Sequence, residues 1–181
     1  MTRILLDACV LFPSVLRELL MGAAGEGLFE PLWSERILEE WRRAAARKDA
    51  AAGAIAQTEI LLLKARWPKA MVAMPEQLPA DIFLPDPDDV HVLVAAINGN
   101  ATELLTANTR DFPIRVLAQY NILRRHPDEL LLELAYSHPK QLRHIVDQVM
   151  QTAAKMQDAP PNQRAILRKI GLPRFAKHLA T

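Results

Sequence analysis

The sequence predicts an α/β fold, a parallel sheet flanked by helices, followed by a C-terminal extension built of helices alone. Three observations carry this. Residues 3–6, Arg-Ile-Leu-Leu, form a short apolar run that ends on Asp7, the pattern of a buried parallel strand that delivers a polar residue at its tip. A second short apolar run, Leu104-Leu105, ends in the same way on Thr106. Helical periodicity fills the interval between them, and alternation of strand and helix favours a parallel sheet with helices on its faces.

The elements follow in order. After the 3–6 strand, residues 14–23 carry Val15, Leu16, Leu19 and Leu20 at helical spacing. Ser34 is a good N-cap, Glu35 suits the first turn, and a helix is expected to run to about Lys48. Its apolar stripe is Ile37, Leu38 and Trp41, and Arg36, Arg42, Arg43, Arg47 and Lys48 make its other faces basic. A further helix is expected over 53–66, stopping before Pro68. Residues 68–85 are Pro-rich and read as an extended connection. Asp88 is the expected N-cap of a helix from Asp89 to about Asn98. Beyond the 104–105 strand the pattern is helical: 114–119, 127–135, 139–156, 162–170 and 173–179. Pro160-Pro161 is a break that would set off 161–181 as a terminal arm.

The chain has 181 residues, half of them apolar, which is ample for a packed core. A single cysteine, Cys9, excludes an internal disulfide and a Cys-based zinc site. The five histidines contain no HExxH and no i,i+4 pair. Gly22, Gly25 and Gly27 make neither a dinucleotide fingerprint nor a phosphate-binding loop. No apolar run suits a membrane span, and Asp7 interrupts the only stretch that looks like a signal sequence. A soluble cytoplasmic protein is expected. Net charge is +1, which argues against an electrostatically driven nucleic-acid binder. That total hides a split: residues 1–112 hold 11 basic against 16 acidic residues, a net of −5, and residues 113–181 hold 11 against 5, a net of +6.

The acids are placed unevenly. Asp7 follows the first strand, Glu39-Glu40 lie in the Ser34 helix, Asp86-Pro87-Asp88-Asp89 opens a helix, and Asn108-Thr109-Arg110-Asp111 follows the second strand. Each has a structural explanation as a cap, a turn or a solvated face. In a parallel sheet, however, the strand tips and the start of the following helix share one edge, where ligands bind. Two carboxylates about 4 Å apart repel by about 4 kcal/mol at an effective dielectric near 20. Several such repulsions call for a counter-ion, and with no Cys or His pair nearby the hard cations Mg²⁺ or Mn²⁺ fit. Such an ion is what phosphodiester hydrolysis uses to activate water and neutralise developing charge.

Four stretches together resemble a known family: Leu5-Leu6-Asp7-Ala8-Cys9-Val10-Leu11; Trp33-Ser34-Glu35-Arg36-Ile37-Leu38-Glu39-Glu40-Trp41-Arg42-Arg43; Asp86-Pro87-Asp88-Asp89-Val90-His91-Val92-Leu93; and Leu105-Thr106-Ala107-Asn108-Thr109-Arg110-Asp111-Phe112-Pro113. Singly each is weak, but in this order and spacing they resemble the PIN-domain ribonucleases, in particular the VapC-type toxins of bacterial toxin–antitoxin modules. The resemblance covers roughly residues 3–125. It implies a PIN-like, Rossmann-like nuclease domain over 1–125, with 126–181 as the helical extension of a longer subgroup. By position, Asp7, Glu40, Asp89 and Asp111 match the family's catalytic, metal-binding acids, with Glu39 the neighbouring alternative to Glu40. Thr106 and Asn108 match supporting polar residues, and Asp86 and Asp88 would position the loop or hold metal through water. Cys9 departs from the family, which often has Asn or Ser there.

The resemblance implies hydrolysis of RNA with one or two Mg²⁺ or Mn²⁺ ions, leaving a 5′-phosphate, with transfer or ribosomal RNA as substrate. Arg17, Arg42, Arg43 and Arg110 are the candidate phosphate contacts. A cognate antitoxin protein and a homodimer are implied partners. Two rivals remain. A haloacid-dehalogenase-type phosphatase needs a second Asp where Cys9 stands. A catalytically silent PIN-like module would bind RNA or protein without cutting it. On the nuclease reading the near-neutral total is the sum of an acidic cleft and a basic surround, since Asp7, Glu40, Asp86, Asp88, Asp89 and Asp111 supply six of the 16 acids in the front segment.

Overall fold

A computed structural model describes residues 1–155 and 162–180. The Pro160-Pro161 break and the last residue of the expected 139–156 helix lie outside the described residues. Four parallel strands form one sheet in the order β2-β1-β3-β4, with β1 at Arg3–Leu6, β2 at Glu30–Leu32, β3 at Glu103–Leu105 and β4 at Leu123–Arg125. The two expected strands are β1 and β3, and they pair directly, Leu5 opposite Leu104 and Leu6 opposite Leu105. The other two escaped the sequence pattern. β2 is three residues containing Pro31, which an edge strand tolerates because one side of its backbone needs no partner. β4 reads Leu-Arg-Arg and has only one apolar residue to betray it.

The helices that crowd the carboxyl edge are short or strongly capped. α1 (Ala8–Leu11) follows β1 at once, too short to give a periodic signal. α2 (Ser14–Gly25) and α3 (Glu35–Lys48) match expectation, and the Ser34 hydroxyl accepts from the Ile37 amide at 3.3 Å as an N-cap should. α4 (Ala50–Arg66) starts earlier than the pattern suggested because Asp49 caps it, accepting from the Ala51 amide. The 68–85 connection is irregular, with one parallel bridge from Trp33 to Met71.

The expected Asp88 cap needs correction. Asp86 is the cap, accepting from the Asp88 amide at 2.9 Å, and it opens a 3-10 turn over Pro87–Asp89 that feeds α5 (Val90–Asn98). Pro87 explains the shift, since its fixed φ and missing N–H suit the first helical position.

The rest is helical: α6 (Ile114–Ala118), α7 (Pro127–Ser137), α8 (Pro139–Lys155), α9 (Gln163–Lys169) and α10 (Pro173–His178). These helices are not a loose appendage. α8 packs on α2, where Gly22 admits the Ile145 side chain so closely that a Cβ would stand 2.6 Å from it. Leu131, Leu142, Val146, Leu167 and Phe175 join the same buried cluster as Leu5, Leu20 and Trp33. Among the described residues no helix is long and apolar enough to cross a membrane.

Candidate metal centre and nuclease site

Strand order places the site. The chain moves from β1 outward to β2 and then returns to the other side of β1 as β3, so the sheet's topological switch lies between β1 and β3. In open parallel sheets ligands bind outside the carboxyl ends at that point. Register fixes what stands there. Leu6 pairs with Leu105, so Asp7 and Thr106 emerge side by side, and the buried Thr106 hydroxyl donates to Asp7 Oδ2 at 2.7 Å. The Cys9 thiol donates to the same oxygen at 3.0 Å. Burial pushes that thiol up to about 12, and the Asp7 charge pushes it the same way, so Cys9 serves here as a neutral donor. The Thr106 hydroxyl also accepts from the Asn108 amide at 3.0 Å, shaping the loop after β3.

That loop and the start of α5 bring three carboxylates together. Oxygens of Asp86, Asp89 and Asp111 lie within 4.8 Å of one another. Asn108 Nδ2 donates to Asp111 Oδ2 and aims it. Asp89 Oδ2 is buried and has no hydrogen-bond partner. Burial first, and then the charges of Asp7, Asp86 and Asp111, together raise the Asp89 carboxyl to about 6, against a small opposing influence of His91. An unpartnered, buried oxygen on a half-buried carboxylate among like charges is costly. All-oxygen donors in an open cluster fit a hard divalent cation, which would satisfy that oxygen and relieve the repulsion.

A family profile described as a PIN domain matches residues 2–110, more than half of the chain. The chain belongs to the PIN-domain family. Searches of curated proteins and of solved structures returned no match. PIN membership points to nuclease activity, and the parallel sheet and the acidic cluster at its carboxyl edge agree with it.

Within this PIN domain the remaining candidates divide by position. Glu40 lies on α3 with Oε1 2.7 Å from Nε2 of His91, which follows Asp89 on α5. Glu39 turns elsewhere: Arg42 and Arg43 both bind it at 2.7 Å and hold its carboxyl down to about 2. Asp7 and Glu40 are not part of the tight trio, whereas Asp86, expected only as a support, is. Asp88 is exposed, and its carbonyl accepts from Arg36 Nη2 at 3.3 Å. Arg36, Glu39, Glu40, Arg43 and Asp88 line an open depression of about 470 Å³.

The four arginines differ more sharply. Arg17 is buried, donates to the Leu11 carbonyl at 2.6 Å, pairs with Glu59 at 2.7 Å, and lies 4.4 Å over the Trp41 ring. Its guanidinium is committed to the protein. Arg42 and Arg43 share Glu39, and Arg43 is the more exposed. Arg110 is exposed beside Asp111.

Two residues were not singled out from the sequence. His91 is 1% exposed and neither ring nitrogen makes a well-directed hydrogen bond, although Nε2 closely approaches Glu40. Arg36 reaches Glu40 Oε1 at 3.4 Å. The Arg36–Glu40 spacing of four was a readable helical pair. Nothing in the local pattern marks a histidine inside an otherwise apolar helix.

Proposed function

We propose that this PIN domain is a Mg²⁺- or Mn²⁺-dependent endoribonuclease. The observation that carries the reading is the Asp86, Asp89, Asp111 trio with its unpartnered Asp89 oxygen, set beside Asp7 at the switch of a PIN sheet. Asp89 and Asp111 would hold the ion, with Asp7 and Glu40 on their flanks and Asp86 as an additional ligand. A bound divalent cation supplies charge neutralisation at phosphate and activation of water. The chain's own residues do the rest. Thr106 and Cys9 fix the Asp7 carboxylate by donating to one of its oxygens, leaving the other free to accept. Asn108 orients Asp111, and His91 Nε2 and Arg36 Nε both approach Glu40 Oε1, at 2.7 and 3.4 Å. Arg110 and Arg43 are the cations open to solvent that can meet substrate phosphate.

The role of toxin in a cytoplasmic toxin–antitoxin pair, with an antitoxin partner and a homodimer, rests on the resemblance to the VapC-type sequences. Growth arrest on expression tests it.

The decisive experiment incubates labelled RNA with wild type, Asp7→Asn and Asp89→Asn protein, with Mg²⁺ or Mn²⁺ and with EDTA. Cleavage is expected only for wild type with metal, and the Asn variants should lose at least a hundredfold in rate. RNA that is bound but uncut under every condition would establish the silent binding module instead. Cutting that persists in EDTA would overturn the metal-dependent reading.

A further inference from the structure

A groove of about 660 Å³ runs between the N-terminal part of the chain and α9. Its apolar lining includes Phe12, Trp41, Ile166 and Ile170, and its cations include Lys48 and Lys169. The Lys48 ammonium stands 5.2 Å over the Phe12 ring. Among the described residues neither lysine has an acidic partner, and the one acid in the lining, Glu59, is already neutralised by Arg17 at 2.7 Å. The groove therefore carries net positive charge over an apolar floor.

Two elements, α1 and α3, connect it to the candidate site. α1 is capped at its start by Asp7 and ends at Phe12, five residues or about 7.5 Å of helical rise away. On α3, Glu40 belongs to the site and the next residue, Trp41, to the groove. The far wall belongs to a segment with a strong charge bias: residues 162–180 contain Arg164, Arg168, Lys169, Arg174 and Lys177 and no Asp or Glu. All five basic side chains are exposed.

We infer that this groove is the path of a single RNA strand leading away from the cut phosphate. Unstacked bases lie on the apolar floor around Phe12, and phosphates lie against Lys48 and Lys169. The pairing of an apolar, partly aromatic floor with cations that have no acidic partner is the recognition chemistry of unpaired nucleic acid. A duplex turns its bases inward and has little use for such a floor. The inference rests on the ribonuclease reading and deepens it. It gives the C-terminal extension, which lies beyond the matched PIN segment, the task of binding substrate.

The test measures binding in EDTA, where no cutting interferes, by fluorescence anisotropy of a fluorescein-labelled unstructured RNA of about a dozen nucleotides. Full-length wild type is compared with Lys48→Glu/Lys169→Glu and with Lys140→Glu/Arg143→Glu, a control pair of equal charge change on the exposed face of α8. The groove pair is expected to weaken binding by about tenfold or more and to flatten the salt dependence by about 1.4 in log–log slope, two phosphate contacts for a single strand. The control pair should change affinity by less than about threefold, and a hairpin duplex should bind more weakly than the single strand. If the groove pair does no more than the control, or leaves RNA binding unchanged, the groove serves a protein partner or none and the proposal falls. RNA that binds through the groove but is never cut with Mn²⁺ would leave the groove standing and remove the nuclease reading.

Discussion

Asp89 is where the energetic strain of the site concentrates. An aspartate in an unfolded chain titrates near about 3.9, and in the fold its carboxyl is raised to about 6, first by burial and then by Asp7, Asp86 and Asp111. Between those pH values the folded protein binds more protons than the unfolded chain. Its stability therefore falls as pH climbs from about 4 to about 6 and stays reduced above that. Two pKa units are about 2.7 kcal/mol, and because the group is only half-buried, screening trims the cost to about 1 kcal/mol. Metal-free Asp89→Asn protein should therefore melt above wild type at pH 7 in EDTA and lose that acid-side slope. Mn²⁺ at about 100 times its Kd should raise wild-type stability by about 2.7 kcal/mol and that of the variant far less. Equal melting of the two proteins at pH 7 in EDTA would show that the carboxylate is not destabilised. Asp89 itself was legible in the sequence, as was its company, because acids at strand tips and helix starts are forced onto one edge by a parallel sheet. Which acids touch was not legible. The trio includes Asp86 because Pro87 begins a 3-10 turn that draws Asp86 in as the cap, a geometry that a string of Asp and Pro does not specify.

At the scale of elements, the structure shows how a short helix without a capping side chain of its own is held by a distant residue. α10 has six residues, Leu172 at its N-cap, and no capping side chain of its own. Asp128 on α7 supplies the acceptors instead, taking the Arg174 amide at 3.1 Å and the Phe175 amide at 2.9 Å while only 4% exposed. Removing the carboxylate strands two amide donors, one of them buried. Asp128→Ala should cost about 2–3 kcal/mol in urea unfolding and make α9 and α10 more sensitive to limited proteolysis. Asp128→Asn, which keeps one acceptor, should lose less. A loss below about 0.5 kcal/mol would mean that water replaces the cap. No scan of neighbouring positions finds a cap 46 residues upstream of the amide it serves. For the same reason β2 and β4 were invisible, since each is three residues whose stability comes from pairing with β1 or β3. The longer elements α2, α3 and α8 were legible because their periodicity runs over three turns or more.

The whole molecule joins an acidic edge to a basic, helical remainder through one buried core. The net charge changes sign after residue 112, and the resemblance to PIN domains implies a boundary near residue 125, where the strands end. Packing crosses it. Ile145 fills the space left by Gly22 on α2, Leu142 and Val146 are fully buried, and α9 forms the wall of the groove that opens beside α1 and α3. A chain cut after Arg125 would leave the α2 surface around Gly22 bare and would take from Arg125 its 2.5 Å partner Glu133, leaving only Glu103 at 3.7 Å. Leu130, Leu131, Leu142, Ile145, Val146, Leu167 and Phe175 together bury seven large side chains, each contributing about 1.5–3 kcal/mol of transfer free energy. Some of that gain belongs to contacts among the removed helices, but even half of it, about 5–10 kcal/mol, is comparable with the 5–15 kcal/mol that holds a typical domain folded. The 1–125 fragment should therefore keep helical far-ultraviolet circular dichroism yet lose the near-ultraviolet signal of Trp33, Trp41 and Trp67 and bind a hydrophobic dye, the signature of a compact state without fixed packing. A fragment that instead melts cooperatively with native aromatic signal would make the extension an independent appendage, and the cohesion of the core would then have to come from the sheet and its first six helices alone.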